Sequence, residues 1–284
     1  MNGQKMLKKI KKTIQKYLPA SDKEIIPVLR LEGVIGSVKS LGKKGISFEA
    51  LKKGIDEAFD DENVNVVAIV INSPGGSPVQ SSLIFKYLTA LKQQKKKKIM
   101  VFVEDVAASG GYYIACCADE IYADHHSIVG SIGVVSGGFG FTGAIEKLGV
   151  ERRIYTSGQS KAMLDPFMPE NPDHVAHLKS VQEEVHKGFK DVVTKSRFEK
   201  LQDAEENEIF SGKFWTGGTA LTLGLIDGID SLHDKMTALY GEDFKLVPIE
   251  TDKKGFLEKY AGIQAETLTS EIRYSIQDLL STKL

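Results

Sequence analysis

Cysteine is almost missing from this 284-residue chain: Cys116 and Cys117 are the only two, and they are adjacent. Neighbouring cysteines seldom pair with each other, so no disulfide framework can be built, and reduced thiols in a cytosolic setting are expected. No stretch of about 18 apolar residues occurs, so no transmembrane helix is expected. The amino terminus lacks the unbroken apolar core of a signal peptide, because lysines interrupt its apolar residues. Charge of one sign is not in excess: 37 Lys and Arg against 38 Asp and Glu leave a net charge of -1. That balance argues against a dedicated nucleic-acid binder. Proline is scarce at 8 residues, and the 27 glycines follow no collagen-like period. The remainder, 42% hydrophobic and 26% charged, is the composition of a globular protein of one large domain or two ordinary ones.

The near-neutral total hides an asymmetry. Residues 1–20 hold six lysines and no acid, while Met6, Leu7, Ile10, Ile14, Tyr17 and Leu18 recur at helical spacing. This predicts a short basic amphipathic helix that ends at Pro19. Two roles stand side by side: peripheral contact with anionic lipid through residues 1–18, or docking of the apolar stripe on a neighbouring subunit. From residue 25 to about 250 strands and helices alternate. Val64–Ile71 is a continuous apolar run of strand length, as a strand buried on both faces requires, and Ile99–Val106 reads as another buried strand. Ile25–Val34, Ile121–Ala123, Ile132–Val135, Arg153–Tyr155 and Phe244–Ile249 read as further strands. Phe48–Phe59, Ser82–Leu91, Tyr112–Ala118, Ala144–Leu148, His174–Leu201, Thr219–Leu223 and Ser231–Leu239 read as helices. The lysine run 95–98 reads as a solvated helix exit. Such alternation implies an α/β protein with a largely parallel sheet. Residues 251–284 form a polar arm with a weak helical stripe.

Two glycine turns follow the two most apolar strands: Asn72-Ser73-Pro74-Gly75-Gly76, and Ala107-Ala108-Ser109-Gly110-Gly111. Ligands bind at strand carboxyl ends in parallel sheets, and a helix start there presents free N–H groups. Ser109 therefore stands where a nucleophile and oxyanion donors are useful. The same turns also serve as ordinary tight connections. No histidine sits in an obvious relay to Ser109. His125 and His126 read as loop residues, and His174, His177 and His186 as the solvated surface of one charged helix. His-Glu-x-x-His is absent, no cysteine cluster exists, and no metal or other cofactor is expected. The pattern Gly-x-Ser-x-Gly fails because Ala107 stands where the first glycine belongs, which disfavours a Ser-His-Asp hydrolase. Gly138–Gly143 matches the dinucleotide fingerprint literally, with Asp165 22 residues on. That fingerprint normally follows the first strand of its domain, so it is not adopted.

Taken in order, Ile69–Gly76, Val106–Tyr113, Ala118–Ala123, Ile128–Val135, Tyr155–Ala162 and Phe214–Gly228 resemble the signal peptide peptidase A family of serine proteases, peptidase family S49. The resemblance covers about residues 25–240. It implies a Clp protease/crotonase-like fold of stacked ββα units. It also implies a Ser-Lys dyad in a single-length chain, with Ser109 as nucleophile and Lys161, 52 residues on, as general base. Ser131 falls where the family has a hydroxyl that orients the lysine amine, and the N–H groups of Gly76 and Gly110 would form the oxyanion hole. Typical bacterial members carry a membrane-spanning amino-terminal segment, where this sequence has the lysine-rich helix; a cytoplasmic peptidase peripheral to the membrane is the direct reading.

A lysine with its ordinary pKa of about 10.4 is protonated at neutral pH, and burial in apolar surroundings lowers it until the amine can accept a proton. Arginine could not do this. Lys161 precedes Ala162, Met163 and Leu164, a flank compatible with a desolvated amine. Ile132, Gly133 and Val134 are expected to bind substrate as an added strand, with pockets for small or apolar side chains. The implied partners are peptides and further copies of the same chain. The leading expectation is an endopeptidase acting on short or unfolded peptides such as signal-peptide remnants. A non-catalytic membrane-associated scaffold and a crotonase-like acyl-CoA enzyme are the alternatives.

Overall fold

The computed structural model describes residues 23–36, 39–40, 43–204 and 207–250. The basic helix expected over residues 1–20 and the arm expected over 251–284 lie outside the described residues.

The frame is a largely parallel sheet. Its strands are β1 (Glu24–Glu32), β4 (Val66–Ser73), β5 (Lys98–Ala108), β6 (Glu120–Ala123), β7 (Ile128–Gly130), β8 (Phe214–Thr216), β9 (Gly228–Ile229) and β10 (Phe244–Pro248). They run in the order β10-β1-β4-β5-β6-β9, with β7 pairing both β5 and β8, and only the β7/β8 pair is antiparallel. The short strands β2 (Lys39–Ser40) and β3 (Lys43–Lys44) make a separate antiparallel pair. The helices are α1 (Phe48–Asp60), α2 (Pro78–Lys95), α3 (Gly110–Ala115), α4 (Thr142–Lys147), α5 (Pro172–Arg197), α6 (Gly217–Thr222) and α7 (Leu232–Tyr240).

The apolar run that predicts β4 is buried on both faces, and alternation decides what each face meets. Val67, Ile69 and Ile71 join Leu51, Ile55 and Phe59 of α1 and Ile84 and Leu88 of α2 in the larger core. Val66 and Ala68 point the other way, to Met100, Phe102, Tyr122 and Met236 of α7. Helix α2 begins at Pro78, four residues before the expected Ser82, because Ser77 caps it by accepting from Gln80 N–H and Pro78 suits a first turn. It ends where Lys96 turns left-handed at φ 53°. The lysine run after it is not uniformly solvated. Lys97 is buried, its ammonium donates to the Asp61 carbonyl, and burial lowers its pKa.

Two expected strands are absent. Ile132–Val135 has no regular structure, because Gly130 (φ 107°) and Ser131 (φ 54°) leave the extended region and Gly133 N–H turns back to Ser131 O at 3.0 Å. The strand lies upstream instead, as β7. Arg153–Tyr155 is irregular too, with Tyr155 91% exposed and no strand paired with it among the described residues. The short strands β8 and β9 have no counterpart among the expected elements. They exist through pairing with β7 and β6, partners about 90 to 110 residues away in sequence.

Candidate active site

Strand β5 changes partner before it reaches Ser109. Met100–Val103 pair with β6, and Val106–Ala108 pair with β7. Against β4 the register slips at the same place: Ile71 faces Val103, yet Ser73 faces Ala107. Extra residues on one strand bend it and re-aim the residues beyond the bend. Across the slip Asn72 donates from its amide to Asp105 at 2.7 Å.

The β5/β7 register ends at Ala108 opposite Gly130, so the next residues, Ser109 and Ser131, leave their strands side by side. Ser109 N–H donates to Gly130 O at 2.8 Å, which locks this arrangement. Both serines adopt positive φ, 51° and 54°. Backbone of this kind costs on the order of 1–3 kcal/mol in a non-glycine residue and gathers at functional sites. Ser109 is half-buried at the start of α3, and its hydroxyl caps nothing. The structure thus brings Ser109 and Ser131 next to each other.

Glycines wrap Ser109. A Cβ on Gly75 (φ 101°) would lie 2.8 Å from Ala108 O, Gly110 N and Ser109 Cβ. One on Gly76 (φ 144°) would lie 2.0 Å from Ile35 O, and one on Gly110 would lie 3.4 Å from Gly76 N. Gly76 N–H and Gly110 N–H are therefore close neighbours, and neither finds an acceptor among the described residues. Two unsatisfied donors beside a hydroxyl can hold a developing oxyanion. Ser73, fully buried, accepts from Gly75 N–H at 3.2 Å and so fixes the turn that carries Gly76. That support comes from Ser73 of the turn motif itself, which the structure places at the end of β4.

Lys161 is placed differently. It lies in a turn, its N–H donates to Gly158 O at 3.2 Å, and its side chain is exposed. No hydrogen bond joins its amine to Ser109 or Ser131 among the described residues. The surrounding segment, residues 134–170, is an arm rich in exposed apolar side chains. Val135, Phe139, Leu148 and Tyr155 are 90%, 80%, 76% and 91% exposed. The fingerprint-like Gly138–Gly143 belongs to this arm, and nothing lies within 4 Å of a Cβ placed on any of its glycines.

Behind the site Arg197, 1% exposed, bonds Asp227 through both terminal nitrogens and Gly224 O through Nε. Burial pushes the Asp227 carboxyl up, but hydrogen bonds from Arg197, Lys200 and Ile121 N–H outweigh it and hold the pKa below the ordinary carboxylate value. Asp227 ties β6, α5 and the turn into β9 together. Cys116 and Cys117 are buried thiols pushed up to about 12 by desolvation, so neither is a competing nucleophile. Among the described residues no group of three or more His, Cys, Asp or Glu could hold a metal ion. No described helix is long and apolar enough to cross a membrane.

The model of peptidase family S49 matches residues 91–242, more than half of the chain and the stretch that holds Ser109, Ser131 and Lys161. The chain belongs to peptidase family S49, a family of serine-type peptidases, and its fold is α/β with a largely parallel sheet. It is similar to the chloroplastic serine protease SPPA of Arabidopsis thaliana, 30% identical over 211 residues, which are 73% of this chain and 31% of that one. A protein of Brucella abortus named Na(+)/H(+) antiporter NhaA is 46% identical over 254 residues, 89% of this chain and 34% of that one. The chain thus spans about a third of the length of these two relatives. Among solved structures it is similar to the membrane-bound stomatin-specific protease 1510-N in complex with a substrate peptide. The identity is 17% and the TM-score 0.49, over 86% of this chain and 99% of that one.

Proposed function

We propose that this protein is a serine endopeptidase in which Ser109 attacks the peptide carbonyl and Lys161 is the base. Ser109 Oγ forms a bond to the carbonyl carbon while the Lys161 amine takes the hydroxyl proton. The oxyanion lies between the N–H groups of Gly76 and Gly110, each such donor being worth roughly 10²–10³ in rate. The tetrahedral species then expels the amine half of the peptide, which receives the proton from the Lys161 ammonium. Water next attacks the acyl-serine and gives a proton to Lys161; the bond from the acyl carbon to Ser109 Oγ then breaks, the Lys161 ammonium returns the proton to Oγ, and the acid half leaves. Ser131 accepts a hydrogen bond from the amine and orients it. Short or unfolded peptides, such as signal-peptide remnants, are the substrates.

One observation carries the reading: the strained Ser109 stands in register with Ser131 and beside two N–H groups that lack acceptors among the described residues. Lys161, exposed in the single chain, needs dry surroundings to serve as base. The apolar arm around it supplies a surface for a second copy, whose cover would exclude water, so the active form is a homo-oligomer. Residues 1–18 add peripheral contact with anionic lipid. Deleting 1–19 abolishes sedimentation with anionic liposomes on this account, and unchanged sedimentation removes that part of it.

The test is cleavage of a fluorogenic peptide by purified full-length protein. Ser109→Ala and Lys161→Arg each lose at least ~10³ in kcat/KM with unchanged circular dichroism. Arginine keeps the charge but cannot give up its proton at working pH. Full activity in either variant rejects the dyad. The exposure of Lys161 is the observation that favours a scaffold without catalysis, and equal inactivity of the wild type and Ser109→Ala would establish that alternative.

A further inference from the structure

We propose that His186 is a positioning residue of this peptidase: it anchors the backbone against which substrate docks, by hydrogen bonding the Ile132 carbonyl. The inference rests on the function proposed above. It begins with the pattern of α5. Phe189, Val193 and Arg197 are its buried residues, spaced four apart, so they form one face turned to the body of the protein. His186 comes three residues earlier on the same face. It is half-buried, and its Nε2 lies 3.1 Å from Ile132 O. A carbonyl can only accept, so Nε2 carries the proton and donates. The expectation of a solvated histidine is therefore corrected for His186.

The carbonyl it holds is at a decisive place. Ser131 is fixed by its own N–H to Lys213 O at 2.8 Å, and Gly133 packs so closely on Gly212 that a Cβ would lie 2.9 Å from its Cα. The Ile132 side chain is fully buried. Beyond Gly133 the chain leaves the body: Val135 is 90% exposed, and the backbone groups of Val134 have no partner among the described residues. The bond from His186 is thus the last side-chain tether before the free edge at Val134. A cleft of about 170 Å³ opens on the same spot, lined by Val134, Lys179, Gln182, Glu183 and His186. Backbone groups left free at Val134 can bond an extended peptide at full strength only if the segment is held still; otherwise binding must order it at a cost in affinity. His186 does not touch the reacting atoms, so its loss weakens docking rather than chemistry.

The experiment compares the wild type with His186→Leu and His186→Gln as full-length proteins. Steady-state cleavage of the fluorogenic peptide is read together with amide hydrogen exchange over residues 131–136. His186→Leu raises KM about three- to tenfold, the weight of one hydrogen bond, with kcat within about twofold. Exchange at 131–136 quickens in the same variant. His186→Gln, whose amide can donate from a similar position, restores both. If His186→Leu lowers the melting temperature, His186→Ala replaces it and the same pattern is required. Unchanged KM in the variant, a fall confined to kcat, a KM rise without faster exchange, or failure of His186→Gln to rescue overturns the inference. Turnover that survives Ser109→Ala would reject the proposed dyad, and an inactive wild type would reject the peptidase reading itself; hydrogen exchange would in either case still decide whether His186 holds the segment.

Discussion

Ser109 occupies a backbone conformation (φ 51°, ψ -121°) that favours glycine. Nothing in the packing of a serine hydroxyl rewards that strain, since its Oγ caps no N–H of α3. Replacing Ser109 by glycine should therefore stabilise the fold by about 1 kcal/mol while removing all peptidase activity. Ser109→Ala, which keeps the strain, should leave stability unchanged. Urea unfolding of the three proteins measures this, and a Ser109→Gly variant less stable than Ser109→Ala would contradict the account of the turn. Ser109 stands out in the sequence because it sits between a largely apolar strand and two glycines. Its partner Ser131 is recognisable only through the resemblance, since the β5/β7 register that makes the two neighbours is a pairing between distant segments.

At the scale of elements, the legible parts are those whose pattern is local. The stretches Val66–Ile71 of β4 and Ile99–Val103 of β5 are apolar throughout because both of their faces are covered. The opposite holds for β7 and β8, three residues each, whose existence depends on each other and on β5. Helix α5 is visible in the sequence, but its inward face is not, because a histidine and an arginine stand on it beside Phe189 and Val193. Arg197 on that face makes a prediction about acid. The native pKa of Asp227 lies below its unfolded value, which is about 3.9. Its contribution to stability is then complete above that value and is lost as pH falls through the lower, native pKa. Asp227→Asn leaves the Arg197 guanidinium buried without its counter-charge and should cost about 3–5 kcal/mol at neutral pH. Its thermal midpoint should also fall less steeply than the wild type's when the solution is acidified below about pH 4. Parallel acid profiles of the two proteins would show that this pair does not carry the linkage.

For the whole molecule, the decisive feature is the arm of residues 134–170. A monomer seldom displays apolar side chains as open as Val135, Phe139, Leu148 and Tyr155. Sequence could not reveal this, because an apolar residue bound for an interface looks the same as one bound for the core. It also could not reveal that Lys161 is exposed in the single chain, so that the proposed base needs contacts beyond one folded chain to be desolvated. If self-association dries the site, Phe139→Asp and Val135→Asp should shift the protein toward monomer in sedimentation velocity. Activity should fall at least tenfold with them, while the melting temperature of the core stays near that of the wild type. Fully active monomers would separate assembly from catalysis. The most direct measurement of the central claim is covalent labelling by a fluorophosphonate, mapped by peptide mass spectrometry. The account predicts phosphonylation at Ser109 in the wild type and at least a hundredfold slower labelling in Lys161→Arg. Labelling that ignores Lys161, or that leaves Ser109 unmodified in the assembled wild-type protein, would contradict it.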